Sequence, residues 1–456
     1  MLPLVVPDAT LQRRVLAATA ISYVVVILDT SIVNVALERI ADAFTAGVAG
    51  LQWVVNAYTL AFASLLLTGG ALGDRLGPRR IYLVGLAVFT LASALCGAAT
   101  NLPVLIAARV LQGAGAAMLV PCSLSLINYA YPDPRQRAGA IALWAGFGGA
   151  AMAAGPLAGG VLIQLLGWRG IFLVNLPIGL VGLWLTARIG TETLATPGRD
   201  LDLAGQLAAV VALGVPVAAL IQGPALGWGS PLILAGLVGS GVAWAVFLWL
   251  EVRRAQPMLP LTLFRGRVFS ASVLVSMATA FTFYGFVFVL SLYLQRIRGF
   301  APLQAGLAFL PLTAVVTVGS LASGHLVRAY GPRLSVSGAF IVYAAGFLGL
   351  LAALPGEAVW PAVLAMPLVG FAAGFVTPAA TAAMMGTVEK SRAGIAAGVL
   401  NAARQTGAAL GVAVFGALVA MSETFVGGFQ AALWAAASVS LLAASLWWVA
   451  LANYKQ

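Results

Sequence analysis

The chain has 456 residues, of which 62% are apolar and 8% carry a charge, whereas a soluble globular protein is about half apolar and about a quarter charged. With a mean hydropathy of +1.02, the 24 basic and 13 acidic residues cannot clothe the roughly three soluble domains that this length would otherwise suggest. A soluble protein is excluded, and the expected fold class is an all-α polytopic membrane protein.

A bilayer-crossing helix needs about 20 mostly apolar residues. In chain order such runs fall near 15–37, 51–73, 81–99, 103–127, 138–165, 170–190, 203–223 and 231–250. Six more follow near 269–293, 303–329, 334–354, 359–385, 393–420 and 429–452, giving fourteen transmembrane spans. An even count places both termini on one side of the membrane.

The distribution of Lys and Arg sets the orientation. The side with the N-terminus holds Arg13, Arg14, Arg75, Arg79, Arg80, Arg135, Arg137, Arg188, Arg199, Arg253, Arg254, Arg265, Arg267, Arg328, Arg333, Lys390, Arg392 and Lys455. The other side holds Arg39, Arg169, Arg296 and Arg298, and Arg109 and Arg404 fall inside spans. This bias predicts cytoplasmic termini. The net charge of +11 is thus topological, and short basic clusters between apolar runs do not suit nucleic-acid binding. Cys96 and Cys122 lie inside spans, match no metal spacing, and read as small packing residues. The first span is too long for a secretory signal and lacks a cleavage pattern.

The chain resembles itself at an offset of about 255 residues. Gly77-Pro-Arg79, after the second span, recurs as Gly331-Pro-Arg333 after the tenth; Arg137-Ala-Gly139 recurs as Arg392-Ala-Gly394. Gly113 and Pro121 in the fourth span have counterparts in Gly370 and Pro378 in the twelfth. Spans 1–6 therefore correspond to spans 9–14. The expected organisation is a six-helix bundle over 1–190, a polar linker and two inserted helices over 191–268, and a second six-helix bundle over 269–456. Two pseudo-symmetric bundles related by an axis along the membrane normal place a transport site at their interface.

Of the acids, only Asp29 lies deep in a span, where an ion costs roughly 2.5–3.5 kcal/mol even on the low scales. Burial favours the neutral form of a carboxyl group in general, so a residue so placed is a candidate for proton uptake or cargo binding. A purely structural bond to a neighbouring helix is the alternative. Arg109, followed at helical spacing by Gln112 and Gly113, is permanently charged and is the natural partner of Asp29, either as a sensor of its charge or as a static bridge. Arg404, within Asn401-Ala-Ala-Arg-Gln405, is the third intramembrane ion, with a capping role as the alternative to gating.

In the fifth span the small residues Gly155, Gly159 and Gly160 flank Pro156, suiting close helix approach and a bend. This reads as a hinge between the halves, with plain packing as the alternative. Phe281, Tyr284 and Phe288 in the ninth span, with Asn34, Trp53, Asn56, Trp144 and Phe147, are candidates for lining a cargo cavity, unless they face lipid or fill a core. Aromatic faces there would suit flat lipophilic ligands, cations included. His325, the lone histidine, reads as a loop-facing residue.

These residues resemble the major facilitator superfamily, specifically its fourteen-helix drug:proton antiporter family of the EmrB/QacA type. Leu28-Asp-Thr-Ser-Ile-Val-Asn-Val-Ala-Leu37 is similar to that family's first-helix signature. Gly73-Asp-Arg-Leu-Gly-Pro-Arg-Arg80 is similar to the superfamily loop motif, with Pro78 where the family often has Arg. There the resemblance implies that Asp74 and Arg75 latch the cytoplasmic ends of the halves. Arg109 with Gln112-Gly113 resembles the fourth-helix motif linked to proton transfer. Gly155-Pro156 with Gly159-Gly160 resembles the fifth-helix motif of exporters, and Asn401 with Arg404-Gln405 resembles a recurrent pattern of the thirteenth helix. The tenth span lacks the second acid that some exporters of organic dications carry.

The expected function is proton-coupled export of lipophilic drugs, antibiotics or dyes across a bacterial cytoplasmic membrane by alternating access. The proton gradient supplies the energy, with no cofactor or metal. Export of one metabolite or siderophore is the alternative. A membrane-embedded enzyme or sensor fits less well, since the chain has one histidine, no buried Cys/His/Asp cluster and no phosphate-binding loop.

Overall fold

The structure is a computed structural model and describes residues 9–189, 202–254, 259–354, 360–389 and 392–452. The polar linker, Arg199, Lys390 and Lys455 lie outside them. Thirteen helices among the described residues are long and apolar enough to cross a membrane. The longest of these, Pro302–Ala353, is broken at Gly331, whose φ of 76° and ψ of 159° are not helical. Beyond the break the Ser335 hydroxyl donates to the Leu326 carbonyl at 3.1 Å. Nine residues of continuous helix would separate those groups by about 13 Å, so the chain reverses at Gly331 and crosses again. Among the described residues the passes therefore number fourteen, as expected.

We label them α1 (Ala9–Phe44), α2 (Val48–Leu76), α3 (Pro78–Ala98), α4 (Leu102–Ala130), α5 (Pro134–Leu166) and α6 (Gly170–Ala187). Next come α7 (Leu203–Leu226), α8 (Pro231–Arg253), α9 (Arg267–Leu292), α10 (302–330) and α11 (332–353). The last three are α12 (Trp360–Met385), α13 (Ala393–Met421) and α14 (Phe425–Ala450). Two differ in shape from the expected spans. The first is much longer than 15–37, because its polar ends continue the same helix. The sixth is interrupted at Val174, between Gly170–Leu173 and Asn175–Ala187.

Local sequence explains the helix starts. Pro78, Pro134 and Pro231 stand in first turns, where a missing N–H costs nothing. Asn101 and Asp133 cap α4 and α5 by accepting backbone N–H bonds of about 2.9 Å. Large apolar side chains such as Leu165, Leu232, Val252 and Leu442 remain exposed. In a bilayer that is the solvated face of such a bundle.

The repeated motifs perform the same work twice. Gly77 (φ 93°) and Gly331 (φ 76°) adopt a backbone conformation that L side chains rarely reach, turning the chain between spans. The following arginines then satisfy the open end of a sixth helix. Arg79 donates to the Ala187 carbonyl at 2.9 Å, and Arg333 donates to the Trp448 carbonyl at 2.9 Å. Both place a cation at a helix C-terminus, where the dipole favours it. Likewise Gly113 brings α4 onto the Tyr58 carbonyl of α2, and Gly370 brings α12 onto the Leu312 carbonyl of α10. A side chain at either glycine would meet that backbone.

The first inserted helix lies at the seam of α2 and α13, and α8 packs on it, Ser240 donating to the Ala212 carbonyl at 3.3 Å. Val217 and Ile221 of α7 pack with Leu60 of α2 and Ala409 and Ala413 of α13, and Gln206 of α7 donates to the Ser64 carbonyl at 2.7 Å. Cys96 and Cys122 are buried and free, and His325 is exposed.

A buried ion network and a central cavity

Asp29 on α1 and Arg109 on α4 form an ion pair with both side chains essentially inaccessible. The rest of the cage is as specific as the pair. Gln112, one turn beyond Arg109, accepts from Arg109 Nη1 at 2.7 Å and donates Nε2 to Asp29 Oδ1 at 2.8 Å. Asn175 of α6 donates to the same Oδ1 at 3.1 Å. Ser93 of α3 accepts from Gln112 at 2.8 Å and Asn175 at 3.3 Å, and its own hydroxyl donates to the Phe89 carbonyl at 2.8 Å. Arg109 Nε donates to the Val54 carbonyl at 3.1 Å, and the guanidinium lies 4.4 Å from the centre of the Tyr58 ring. Every partner of the carboxylate is thus a donor, which is the arrangement that holds an anion out of water.

Sequence reasoning paired Asp29 with Arg109 and Gln112 but missed Asn175 and Ser93. A buried Asn in an apolar run needs a partner, a weak signal in the sequence, and the structure places Asn175 beside the Val174 break. The network does not touch the cavity described next, so Asp29 is placed for ion pairing among α1, α2, α3, α4 and α6 rather than for direct contact with a molecule in that cavity.

The cavity, about 340 Å³, lies between α5 on one side and α9, α10, α12 and α13 on the other. Its size falls within the range of small-molecule sites. Gly146, Gly149 and Met152 form the α5 wall; Ser276, Thr279, Phe283 and Tyr284 come from α9; Arg404 comes from α13. All lining residues lie in the half of each helix nearer the chain termini or near its middle. The polar ties between the two sides cluster at the opposite end. Ser291 donates to the Asn34 carbonyl at 2.6 Å, Gln295 to the Val35 carbonyl at 3.2 Å, and Gln52 to the Val412 carbonyl at 2.9 Å. Arg296 and Glu38 add an ion pair at 2.6 Å. The molecule is therefore closed on the side away from its termini.

The sequence profile of the Major Facilitator Superfamily matches residues 19–412. The chain belongs to that superfamily. A methylenomycin A resistance protein of Bacillus subtilis (strain 168) is 39% identical over 444 residues, covering 96% of this chain and 94% of that protein. A multidrug resistance protein, Stp, of Mycobacterium tuberculosis (strain CDC 1551 / Oshkosh) is 38% identical over 412 residues, covering 90% of this chain and 76% of that one. Among solved structures, a bacterial homologue of the human lysosomal transporter Spinster, inward-facing and unoccupied, superposes with a TM-score of 0.68 at 18% identity, covering 97% of each chain. This superfamily member is accordingly a multi-pass membrane transporter.

On this facilitator scaffold the candidate cavity residues divide. Tyr284 lines the cavity. Trp144 stands behind its α5 wall, stacked on Tyr23 with ring centres 3.7 Å apart. The others lie elsewhere. Phe288 is fully buried in the core, because its side of α9 faces neighbouring helices. Phe281 packs edge-on against Phe415, and Trp53 packs at the α2, α7 and α13 seam. Phe147 is 51% exposed on α5 and does not line the cavity. Asn34 turns its amide to the Thr30 carbonyl of its own helix at 3.1 Å, and Asn56 is buried between helices without a hydrogen-bond partner among the described residues. Helical spacing alone does not say which of several apolar faces meets a cavity rather than a neighbour.

The gating candidates also separate. Gly155 and Gly159 seat α5 on Ser31 and Ile32 of α1, while Gly306 at the start of α10 sits on the Pro156 carbonyl. The fifth-helix motif therefore touches one helix of each half. Asp74 and Arg75 are exposed at the end of α2. Asn401 donates to the Ala397 carbonyl at 3.1 Å, and Gln405 is half-buried beside Arg404. Arg404 lines the cavity, and no carboxylate among the described residues forms an ion pair with it.

Proposed function

We propose that this transporter exports small lipophilic compounds, antibiotics among them, from the cytoplasm across a bacterial inner membrane in exchange for protons. Both termini face the cytoplasm in this reading, so the cavity opens inward and the ties at Glu38–Arg296 and Asn34–Ser291 seal the outer side. The observation that carries it is the caged Asp29–Arg109 pair at membrane depth, in a chain related along almost its whole length to a protein named for antibiotic resistance. The exporter-type motif on α5 supports the direction, since it joins the two halves at Pro156 and Gly306.

Protonation of Asp29 would remove one member of the pair and leave Arg109 without its counter-charge. The pair thus has two states of very different energy in the low dielectric, as a coupling element requires. Alternation follows when the outer ties open and the cavity closes on its inner side, where Asp74 and Arg75 stand. The test is uptake by everted membrane vesicles with an acidic lumen. Adding an exported compound releases protons through the protein, and vesicles lacking it show no such release. Transport that persists after a protonophore collapses the gradient would end the proton-coupled reading, as would full gradient-driven transport by Asp29→Asn.

A further inference from the structure

Among the described residues, Arg404 is the only charged one that lines the cavity. It is the twelfth residue of the 29-residue α13, near mid-depth, where an ion is costly. An intramembrane cation is ordinarily paired with an acid or with backbone carbonyls. No carboxylate among the described residues pairs with this one, and Asp29 is already committed to Arg109, Gln112 and Asn175. A second observation points into the same space. The Ser276 hydroxyl, 1% exposed at residue level, lines the cavity and has no hydrogen-bond partner among the described residues. Buried hydroxyls without partners are rare and mark where a missing group belongs. Phe283, Met152 and Val316 supply apolar wall around these two polar points.

We infer that the cargo is a lipophilic organic acid whose anionic oxygen is held by Arg404, with Ser276 donating a second hydrogen bond and the apolar wall taking the carbon body. A guanidinium matches a carboxylate in a planar fork and gives the stronger, charge-assisted class of hydrogen bond. A cation, which the aromatic residues of α9 would admit along with neutral lipophilic ligands, does not suit this wall. At about 5 Å and an effective dielectric of about 20, a like charge is disfavoured on the order of a hundredfold.

The inference rests on the exporter reading and names the substrate class of the same cavity. Its test uses three matched probes: radiolabelled 1-naphthylacetate, its primary amide, and 1-naphthylethylamine. Binding is measured on the purified full-length protein in lipid nanodiscs, and transport of a broad compound panel is measured in everted vesicles. The acid binds at least about tenfold more tightly than the amide, and the amine binds most weakly. Arg404→Gln lowers the acid to the level of the amide without changing the amide, Arg404→Lys restores part of the preference, and Ser276→Ala weakens the acid several-fold. Thermal melts of each variant separate loss of recognition from loss of fold. Tightest binding of the amine, an acid preference that survives Arg404→Gln, or binding of none of the three by a protein that still exports other compounds overturns the inference and leaves the exporter reading intact. Failure of the wild type to move any compound of the panel sinks the exporter reading instead.

Discussion

Replacing Asp29 by asparagine removes the counter-charge of Arg109 while keeping size and shape. Oδ2 accepts from Arg109 and Oδ1 accepts from both Gln112 and Asn175. An amide in that place must turn its NH₂ toward Arg109 or toward the other two, so a donor meets donors either way. Arg109 is 1% exposed and has no water to fall back on. Stranding one member of a buried pair costs about 3–5 kcal/mol. Asp29→Asn should therefore lower the stability of the purified protein by that order in a denaturant or thermal melt. Asp29→Asn combined with Arg109→Gln removes both charges and should recover most of the loss, while gradient-driven export stays absent in both. Wild-type stability for the single variant would refute the claim that the cage holds an uncompensated-charge penalty in reserve. Recovery of gradient-driven export in the double variant would refute the role given to the carboxylate in coupling.

Four further outcomes follow from the geometry. Gly113→Val drives a side chain into the Tyr58 carbonyl, and overpacking of this kind costs about 1–3 kcal/mol; the amount of monodisperse protein recovered from membranes should fall. A Cβ added at Gly149 meets no atom within 4 Å, and the residue lines the 340 Å³ cavity, so Gly149→Leu fills that space and should melt like wild type yet lose export and probe binding. Glu38→Gln weakens a partly exposed pair worth at most about 1 kcal/mol, which shifts the balance of open and closed outer side by up to about fivefold. Thiol labelling of a cysteine placed near Arg296 should speed up accordingly, and exchanging the two charges should reverse the effect. Trp144→Ala removes the face of the Tyr23 stack and should cost about 3–5 kcal/mol as a large buried aromatic, read by melting.

Number of spans, the repeat and the principal ion pair were legible because each depends on composition or on a residue that should not be where it is. Arg79 and Arg333 stand 254 residues apart in the same tripeptide and bind the same kind of helix end. That correspondence is written in the sequence even though the hydrogen bonds are not. Asp29 announced itself as the acid in an apolar run. Asn175 and Ser93 did not, because a neutral polar residue in a span carries a smaller penalty and does not stand out among the other Ser, Thr and Asn residues. The cavity was the least legible part. Phe281, Tyr284 and Phe288 share a helical stripe, yet one packs on Phe415, one lines the cavity and one fills the core. Which of them meets empty space depends on how far the two halves stand apart, a tertiary quantity that periodicity does not contain.

The two ion sites occupy different halves, and this separation bears on how a proton and an organic acid could be exchanged. Asp29 bonds directly to α4 and α6 and through them reaches Ser93 of α3 and Val54 of α2, whereas Arg404 stands on α13. Coupling between them has to pass through elements that touch both. Helix α1 is one such element: Tyr23, six residues before Asp29, stacks on Trp144 behind the cavity wall, and Ser31, two residues after it, lies against Gly155. On the far side Asn34 and Val35 receive the hydrogen bonds of Ser291 and Gln295 that close the outer end. A change in the charge of Asp29 that shifts α1 would therefore act on the cavity wall and on the outer seal together. No direct contact between proton and cargo is needed, and both ion sites can be occupied in one conformation without competing for the same atoms.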